Sequence, residues 1–210
     1  MRTKLVLVAC VPAGCNAPVN VLRLKALSLL FCFGLAGCAT RDTDDVCALL
    51  AEHPQWRVPL QQASLDSGIA AAVLMAIMRH ESDFTADARP YKRWLFDLIP
   101  TNERLSSAYG YAQALDSTWA EYQQIRRRPD AQRDEFADAV DFMGWYLQRA
   151  VRALQIAPDD ARELYLAYHQ GLTGYREARY EGKSLLLDAA DRVERSAKKY
   201  AAQWQHCAAY

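Results

Sequence analysis

Residues 70–81 read AAAVLMAIMRHE, an apolar, alanine-rich stretch that ends in an acid. At helical spacing one stripe of this segment is formed by Val73, Leu74, Ile77 and Met78. Glu81 falls on the same stripe. A carboxylate that faces a core is costly to ionise, so its pKa rises, as a general acid near neutral pH requires. The alternative is a helix end that turns Glu81 out to solvent, and this segment alone leaves both open.

Helical periodicity dominates the chain after a short polar stretch. Thr43 or Asp44 can cap a first helix, Gly68 stops the second, and Gly171 stops the sixth. The predicted helices are one that ends at Leu50, then 54–67, the Glu81 helix, one capped by Asp116 or Ser117, 134–156, 159–170, and one that begins at Ser184. No strand pattern of any length is present. The sequence predicts a single all-α domain over 46–210.

Residues 85–112 interrupt the helical pattern. They contain Pro90, Pro100, Gly110 and several aromatic residues without helical period, which indicates a loop with room for a small turn or hairpin. Within this loop, 89–105 is a cationic and aromatic insertion. A lid over a cleft, a membrane-facing loop and a segment packed on the domain all suit such a composition.

The N-terminal 37 residues are typical of an export signal. Arg23 and Lys25 precede an apolar run, 26–35, that is too short to span a bilayer as a mature helix. The first 20 residues fit a signal poorly, so we interpret them as a start-site extension, with Val19 or Val21 as the real start.

The run ends in LAGC, which resembles the bacterial lipoprotein signal box. The resemblance implies that Cys38 is lipidated and becomes the new N-terminus, with 38–45 as a tether. Two or more acyl chains would anchor the protein to a membrane. Ala39 stands where lipoproteins retained at the inner membrane often carry Asp, so the resemblance implies an outer-membrane protein that faces the periplasm. The alternative is an ordinary secretory signal with an incidental cysteine.

Cysteine usage agrees with export. Of six cysteines, three would leave with the signal and Cys38 would be lipidated. Cys47 and Cys207 remain near the two ends of the mature domain, and such a pair in an oxidising compartment indicates a disulfide. Two unpaired buried thiols are the alternative.

Charge and motif content exclude several functions. Residues 1–37 hold four basic and no acidic residues, which leaves 21 basic and 25 acidic residues after them. That balance is not typical of a nucleic-acid binder. The histidines and cysteines show no HExxH, CxxC or CxxCH spacing, so we expect neither a metal nor a cofactor. We expect a monomer.

Three segments at element boundaries carry the candidate chemistry. They are ES at 81–82, GYAQ at 110–113 and AYHQG at 167–171. In this order they resemble the ES, GLMQ and AYNAG motifs of the soluble lytic transglycosylase family, whose domain is goose-lysozyme-like. The resemblance covers about 60–180 and implies a helical fold with long loops around a glycan cleft.

The family resemblance implies roles for the matching residues. Glu81 would protonate the glycosidic oxygen of peptidoglycan and then act as the base. Ser82 would lie by the cleft, and Gly110 would permit a close backbone approach to the saccharide. Gln113 would bond a hydroxyl or acetamido group of the sugar.

The third motif adds a tyrosine and a departure. Tyr168 matches the family tyrosine that hydrogen-bonds and orients the catalytic carboxylate. His169 stands where the family has Asn, and Ala112 stands where it has Met. Both departures concern sugar recognition and leave the acid in place.

The resemblance also explains why one carboxylate is enough. Ordinary glycosidases need two, and Asp83, Asp87, Asp97 and Asp116 have no evident geometric claim to be the second. In the family, the N-acetyl group of the substrate stabilises the oxocarbenium, and the muramic 6-hydroxyl closes to a 1,6-anhydro product. A non-catalytic peptidoglycan-binding or envelope-scaffold lipoprotein and a hydrolytic lysozyme are the alternatives.

Overall fold

The computed structural model describes residues 42–90, 94–95, 99–100 and 105–207, all within the unit Asp42–Tyr210. The predicted signal, Cys38, residues 39–41 of the tether and most of the 89–105 insertion lie outside the described residues.

Helices account for most of the described structure, which confirms the all-α prediction. A 3-10 turn, Pro54–Trp56, lies between the first two helices. The helices are α1 (Val46–Glu52), α2 (Arg57–Ser67), α3 (Ala71–Ser82), α4 (Asp116–Arg126), α5 (Phe136–Leu154), α6 (Ala161–Arg176) and α7 (Ser184–Cys207). Two short strands, β1 (Trp94–Leu95) and β2 (Ile99–Pro100), pair antiparallel as a small hairpin inside the insertion.

The helix ends follow local capping chemistry. Gly68 adopts φ 74° and ends α2, as predicted. The predicted cap of α1 is wrong by one or two residues, because the Asp45 side chain accepts from Cys47 N and Ala48 N. Thr43 is instead buried, and its carbonyl accepts a hydrogen bond from the Tyr200 hydroxyl.

Helix α3 is the central element of the core. Every residue from Ala71 to Met78 is buried, so the helix is enclosed all round and not only along the predicted stripe. It packs chiefly against α7, and also contacts α2, α5 and α6. Partial exposure begins only in its last turn, at Arg79. The catalytic candidate therefore stands where a buried helix meets the surface.

A disulfide joins the two ends of the domain, as predicted. Cys47 in α1 and Cys207 at the end of α7 are bonded, with their Cα atoms 5.4 Å apart. Helix α6 is interrupted at Gly171, which has φ 72° and ψ 163°, so the predicted stop is present although the chain resumes a helical turn beyond it.

Within the described part of the chain, no single helix is long and apolar enough to cross a membrane. The consecutive segments Pro54–Ser67 and Ala71–Ser82 are together long and apolar enough, but they are bent by 112° relative to each other.

Candidate active site

The three motif segments meet around a single turn, residues 110–113. From the last turn of α3, the Ser82 hydroxyl donates to Tyr111 O at 2.8 Å. From α6, the Tyr168 hydroxyl donates to Ala112 O at 2.5 Å. Hydrogen bonds from two helices thus hold adjacent carbonyls of the turn, and this fixes the second motif against the first and the third.

The shape of this turn depends on Gly110. Its φ is 80°, and a Cβ at this position would lie 2.1 Å from Arg133 O. The Tyr111 amide donates to that same carbonyl at 3.2 Å. Gly110 thus allows a close backbone approach to Arg133, and the approach to a saccharide that the resemblance implies stays a prediction.

Aromatic contacts pin the same turn to the core. The Tyr111 ring lies edge-on to Trp56 and Phe136, with centroids 5.7 Å away in both cases. Trp56 and Phe136 are themselves stacked at 4.1 Å. The turn is therefore held by side-chain packing on one side and by hydrogen bonds on the other.

Glu81 lies in the last turn of α3 and is partly exposed. Burial raises the pKa of its carboxyl from the ordinary 4.5 to about 8. Burial is the only cause, and no charged group in the described residues contributes. The residue keeps some exposed surface, but its carboxyl is desolvated and favours the protonated form at neutral pH, which argues against a freely solvated helix-end carboxylate.

Two tyrosines of α6 stand near this carboxyl. Burial raises the pKa of Tyr165 and of Tyr168, and the negative charge of ionised Glu81 raises both further. The predicted hydrogen bond from Tyr168 to Glu81 is not formed here, because the single hydroxyl proton goes to Ala112 O. Tyr168 also lies edge-on to Tyr146, with ring centroids 5.3 Å apart.

A cavity of about 240 Å³ lies beside the motif turn. Gln113, Tyr168 and His169, three of the predicted substrate-binding residues, contribute to its wall, whereas Glu81 does not. The remaining wall is formed by Ala114, Leu115, Thr118, Phe142, Tyr146, Gln170 and Gly171. Its aromatic and amide side chains suit the ring faces and hydroxyl groups of a sugar.

A family model described as a transglycosylase SLT domain matches residues 26–207. The chain belongs to this family. Membership supports lytic transglycosylase activity on peptidoglycan at the level of the domain. No curated protein and no solved structure matches the chain.

In this transglycosylase domain, Gln113 is itself part of the turn. It adopts φ 48°, which is unusual for a residue other than glycine. Its amide nitrogen donates to Ala88 O at 2.9 Å and to Gly110 O at 2.8 Å. Within the described part of the chain, its amide oxygen has hydrogen-bonding capacity to spare.

The two departures from the family motifs have different settings. Ala112 is buried, so its methyl group contributes to packing and its carbonyl serves Tyr168. His169 is exposed, and its Nδ1 is 2.8 Å from Gln170 Nε2. Partial desolvation of the ring and the nearby Lys183 lower the pKa of His169, which favours a neutral ring.

The described aspartates that sequence reasoning weighed as a second carboxylate have other settings. Asp83 ends α3 in a left-handed conformation and lines a different cavity. Asp116 is paired with Arg133 at 2.7 Å, and Asp87 is exposed. Asp97 lies outside the described residues. In the described ranges, no group of three His, Cys, Asp or Glu side chains could hold a metal ion.

Sequence reasoning missed three contributors to this transglycosylase site. Tyr165 lies near enough to Glu81 for the charge of ionised Glu81 to raise its pKa, and Tyr146 lines the cavity. The Arg133 carbonyl accepts a hydrogen bond from the motif turn. Tyr165 precedes His169 by one helical turn, so its position on the same face was available from spacing. The contact of Arg133 joins distant segments and leaves no local signal in the sequence.

Proposed function

We propose that this protein is a lytic transglycosylase that cleaves the β-1,4 bond between MurNAc and GlcNAc in peptidoglycan. The product would carry a 1,6-anhydro ring, and Glu81 would be the sole general acid and base. The observation that carries the proposal is the setting of Glu81, whose pKa is raised to about 8 by burial alone, beside a turn that all three motifs share.

The first step uses the proton that Glu81 retains at neutral pH. Glu81 gives it to the glycosidic oxygen as the bond from that oxygen to the muramyl C1 breaks, so GlcNAc leaves as an alcohol. The carbonyl oxygen of the N-acetyl group on the substrate stabilises the positive charge at C1. No second protein carboxylate is required for this stabilisation.

The second step restores the acid. The muramyl 6-hydroxyl attacks C1, a bond from C1 to O6 forms, and the hydroxyl proton passes to the Glu81 carboxylate. Water is not consumed, and the enzyme ends in its starting protonation state. A carboxyl with a raised pKa suits both steps, because it is an adequate acid and a competent base near pH 8.

The other motif residues would bind or position. The Gln113 amide oxygen and the His169 ring would contact the sugar, since both residues line the cavity beside the turn. Ser82 and Gly110 would fix the turn, through Tyr111 and Arg133 respectively. Tyr168 would hold the turn through Ala112 and present its ring to the acid.

Anchoring is a separate part of the proposal. Cys38 of the LAGC segment would be lipidated and would hold the domain at the outer membrane, facing the periplasm, as a monomer. Cys38→Ala is expected to move the protein to the soluble fraction, whereas Cys32→Ala, within the apolar run, should leave it bound. A Cys38→Ala protein that stays fully in the membrane fraction contradicts lipidation.

Mass spectrometry of peptidoglycan digested by the purified protein tests the function. Anhydro-muropeptides are expected, and Glu81→Gln should abolish them while Glu181→Gln, an exposed control, should not. Reducing ends would indicate a hydrolytic lysozyme. Binding without any product would indicate a scaffold protein, and unchanged release by Glu81→Gln would refute the role of this acid.

A further inference from the structure

A second, larger cavity lies beside the last turns of α3. Its volume is about 510 Å³, and it lies between α3, α7 and Asp44 of the N-terminal segment. Basic side chains of both helices dominate its wall: Arg79, Arg192, Arg195 and Lys199. On α7, the residues 192, 195, 196 and 199 recur at helical spacing, so one face of this helix supplies half of the site.

Only part of this positive charge is neutralised. Asp44 forms ion pairs with Arg79 and, at 3.4 Å, with Lys199. These cations lower the pKa of Asp44, chiefly through Arg79. Arg192 and Arg195 are exposed and form no ion pair with any residue that the structure describes. Asp83 also lines the cavity, so four basic and two acidic side chains leave its wall with an excess of positive charge. The cavity therefore offers two guanidinium groups to an anion, although the chain beyond its signal segment is acidic in total.

The cavity shares a wall with the candidate active site. His80 lines it and directly precedes Glu81. The His80 ring lies edge-on to Tyr165, with centroids 4.9 Å apart, and Tyr165 is one of the two tyrosines beside the acid. Arg192 and His80 line the cavity together. Partial desolvation of the ring lowers the pKa of His80, and the positive charges of Arg192 and His169 lower it further.

We propose that this cavity binds the acidic peptide stem of the glycan strand, with Arg192 and Arg195 receiving its carboxylates. The inference rests on the proposed function, because it places a strand bound for cleavage at Glu81 beside the His80 and Tyr165 rings. The muramyl sugar carries the peptide, so the peptide leaves the strand next to the bond that breaks. Guanidinium groups bind carboxylates in bidentate geometry, which suits this pair.

The lining favours a peptide over an anionic membrane surface. Membrane-binding sites combine cations with exposed apolar side chains that enter the lipid. Here the apolar lining residues are Ala76 and Val193, and both are buried. The site is a polar recess and not an apolar ridge.

The test compares peptide-bearing glycan strands with strands freed of peptide by an amidase. Arg192→Gln/Arg195→Gln should lower kcat/KM on peptide-bearing strands about tenfold and leave peptide-free strands unchanged. Arg152→Gln/Arg176→Gln, which removes two exposed arginines outside the cavity, is the charge-matched control and should change neither rate. An equal loss on both substrates, or no loss on either, overturns the inference. No loss of turnover, together with weaker binding to anionic vesicles, assigns the cavity to lipid instead.

A binding measurement separates this inference from the catalytic proposal. Glu81→Gln should bind peptide-bearing strands about tenfold more tightly than the triple variant Glu81→Gln/Arg192→Gln/Arg195→Gln does. If the unaltered protein cleaves neither substrate but this preference persists, the catalytic proposal fails and the peptide site stands. If the preference is absent from an active enzyme, the peptide site fails and the catalytic proposal stands.

Discussion

Replacing Glu81 with Gln is expected to make the protein more stable at neutral pH while it abolishes cleavage. The folded-state pKa of Glu81 is about 8, against 4.5 in its ordinary state. Between these values the folded protein keeps a proton that the unfolded chain has lost, so stability falls as pH rises from about 4.5 and levels off above 8. Gln cannot ionise and removes this loss.

The size of the effect follows from the same pKa shift. Each pKa unit corresponds to about 1.4 kcal/mol. The change in free energy of unfolding caused by Glu81→Gln should therefore be about 3 kcal/mol more stabilising at pH 7 than at pH 4. Above pH 9 the gain should approach 5 kcal/mol, to within roughly a factor of two.

Urea unfolding of both proteins at pH 4, 7 and 9 measures this difference directly. The free energy of unfolding of the unaltered protein should decrease through this series more steeply than that of Glu81→Gln. Glu181→Gln should run parallel to the unaltered protein, because that side chain is exposed. A difference between Glu81→Gln and the unaltered protein that is the same at all three pH values refutes the argument that burial raises the pKa of this acid.

Three other substitutions probe the frame of the site. Tyr168→Phe leaves Ala112 O without its hydrogen-bond donor, so it should lower the free energy of unfolding by about 1–2 kcal/mol. Turnover should fall about tenfold, and loss of all activity would contradict a positioning role for Tyr168. Gly110→Ala should destabilise by about 3 kcal/mol in urea unfolding, because its Cβ would meet Arg133 O, and a neutral result would show that the turn can relax. Cys47→Ser/Cys207→Ser should lower the free energy of unfolding by about 4–5 kcal/mol, and retention of full stability would contradict a structural disulfide.

The helical architecture was accessible from sequence because it depends on local signals. Gly68 ends α2 and Gly171 interrupts α6, each with positive φ, since glycine alone adopts this region without cost. The disulfide followed from counting cysteines. The cap of α1 was misplaced because Thr43, Asp44 and Asp45 are all competent caps, and the burial of Thr43 against Tyr200 is a tertiary contact.

The site was accessible only in part. The family resemblance implied that the three motif segments serve one cleft, and the hydrogen bonds of Ser82 and Tyr168 bring them to the same turn. The Tyr168 hydroxyl donates to a backbone carbonyl of the turn, whereas the resemblance implied Glu81 as its partner. Backbone carbonyls compete for each hydroxyl and carry no signal in the sequence. Arg133 O leaves no room for a side chain at Gly110, and this too is a contact between distant segments.

The pH dependence of kcat/KM for anhydro-muropeptide formation tests the role of Glu81 most directly. Cleavage requires the protonated acid in the free enzyme, so the rate should hold through neutral pH and fall as pH rises, with a midpoint near 8. A rate that has already fallen near pH 4.5, or one that persists unchanged well above pH 9, would contradict a buried Glu81 as the proton donor.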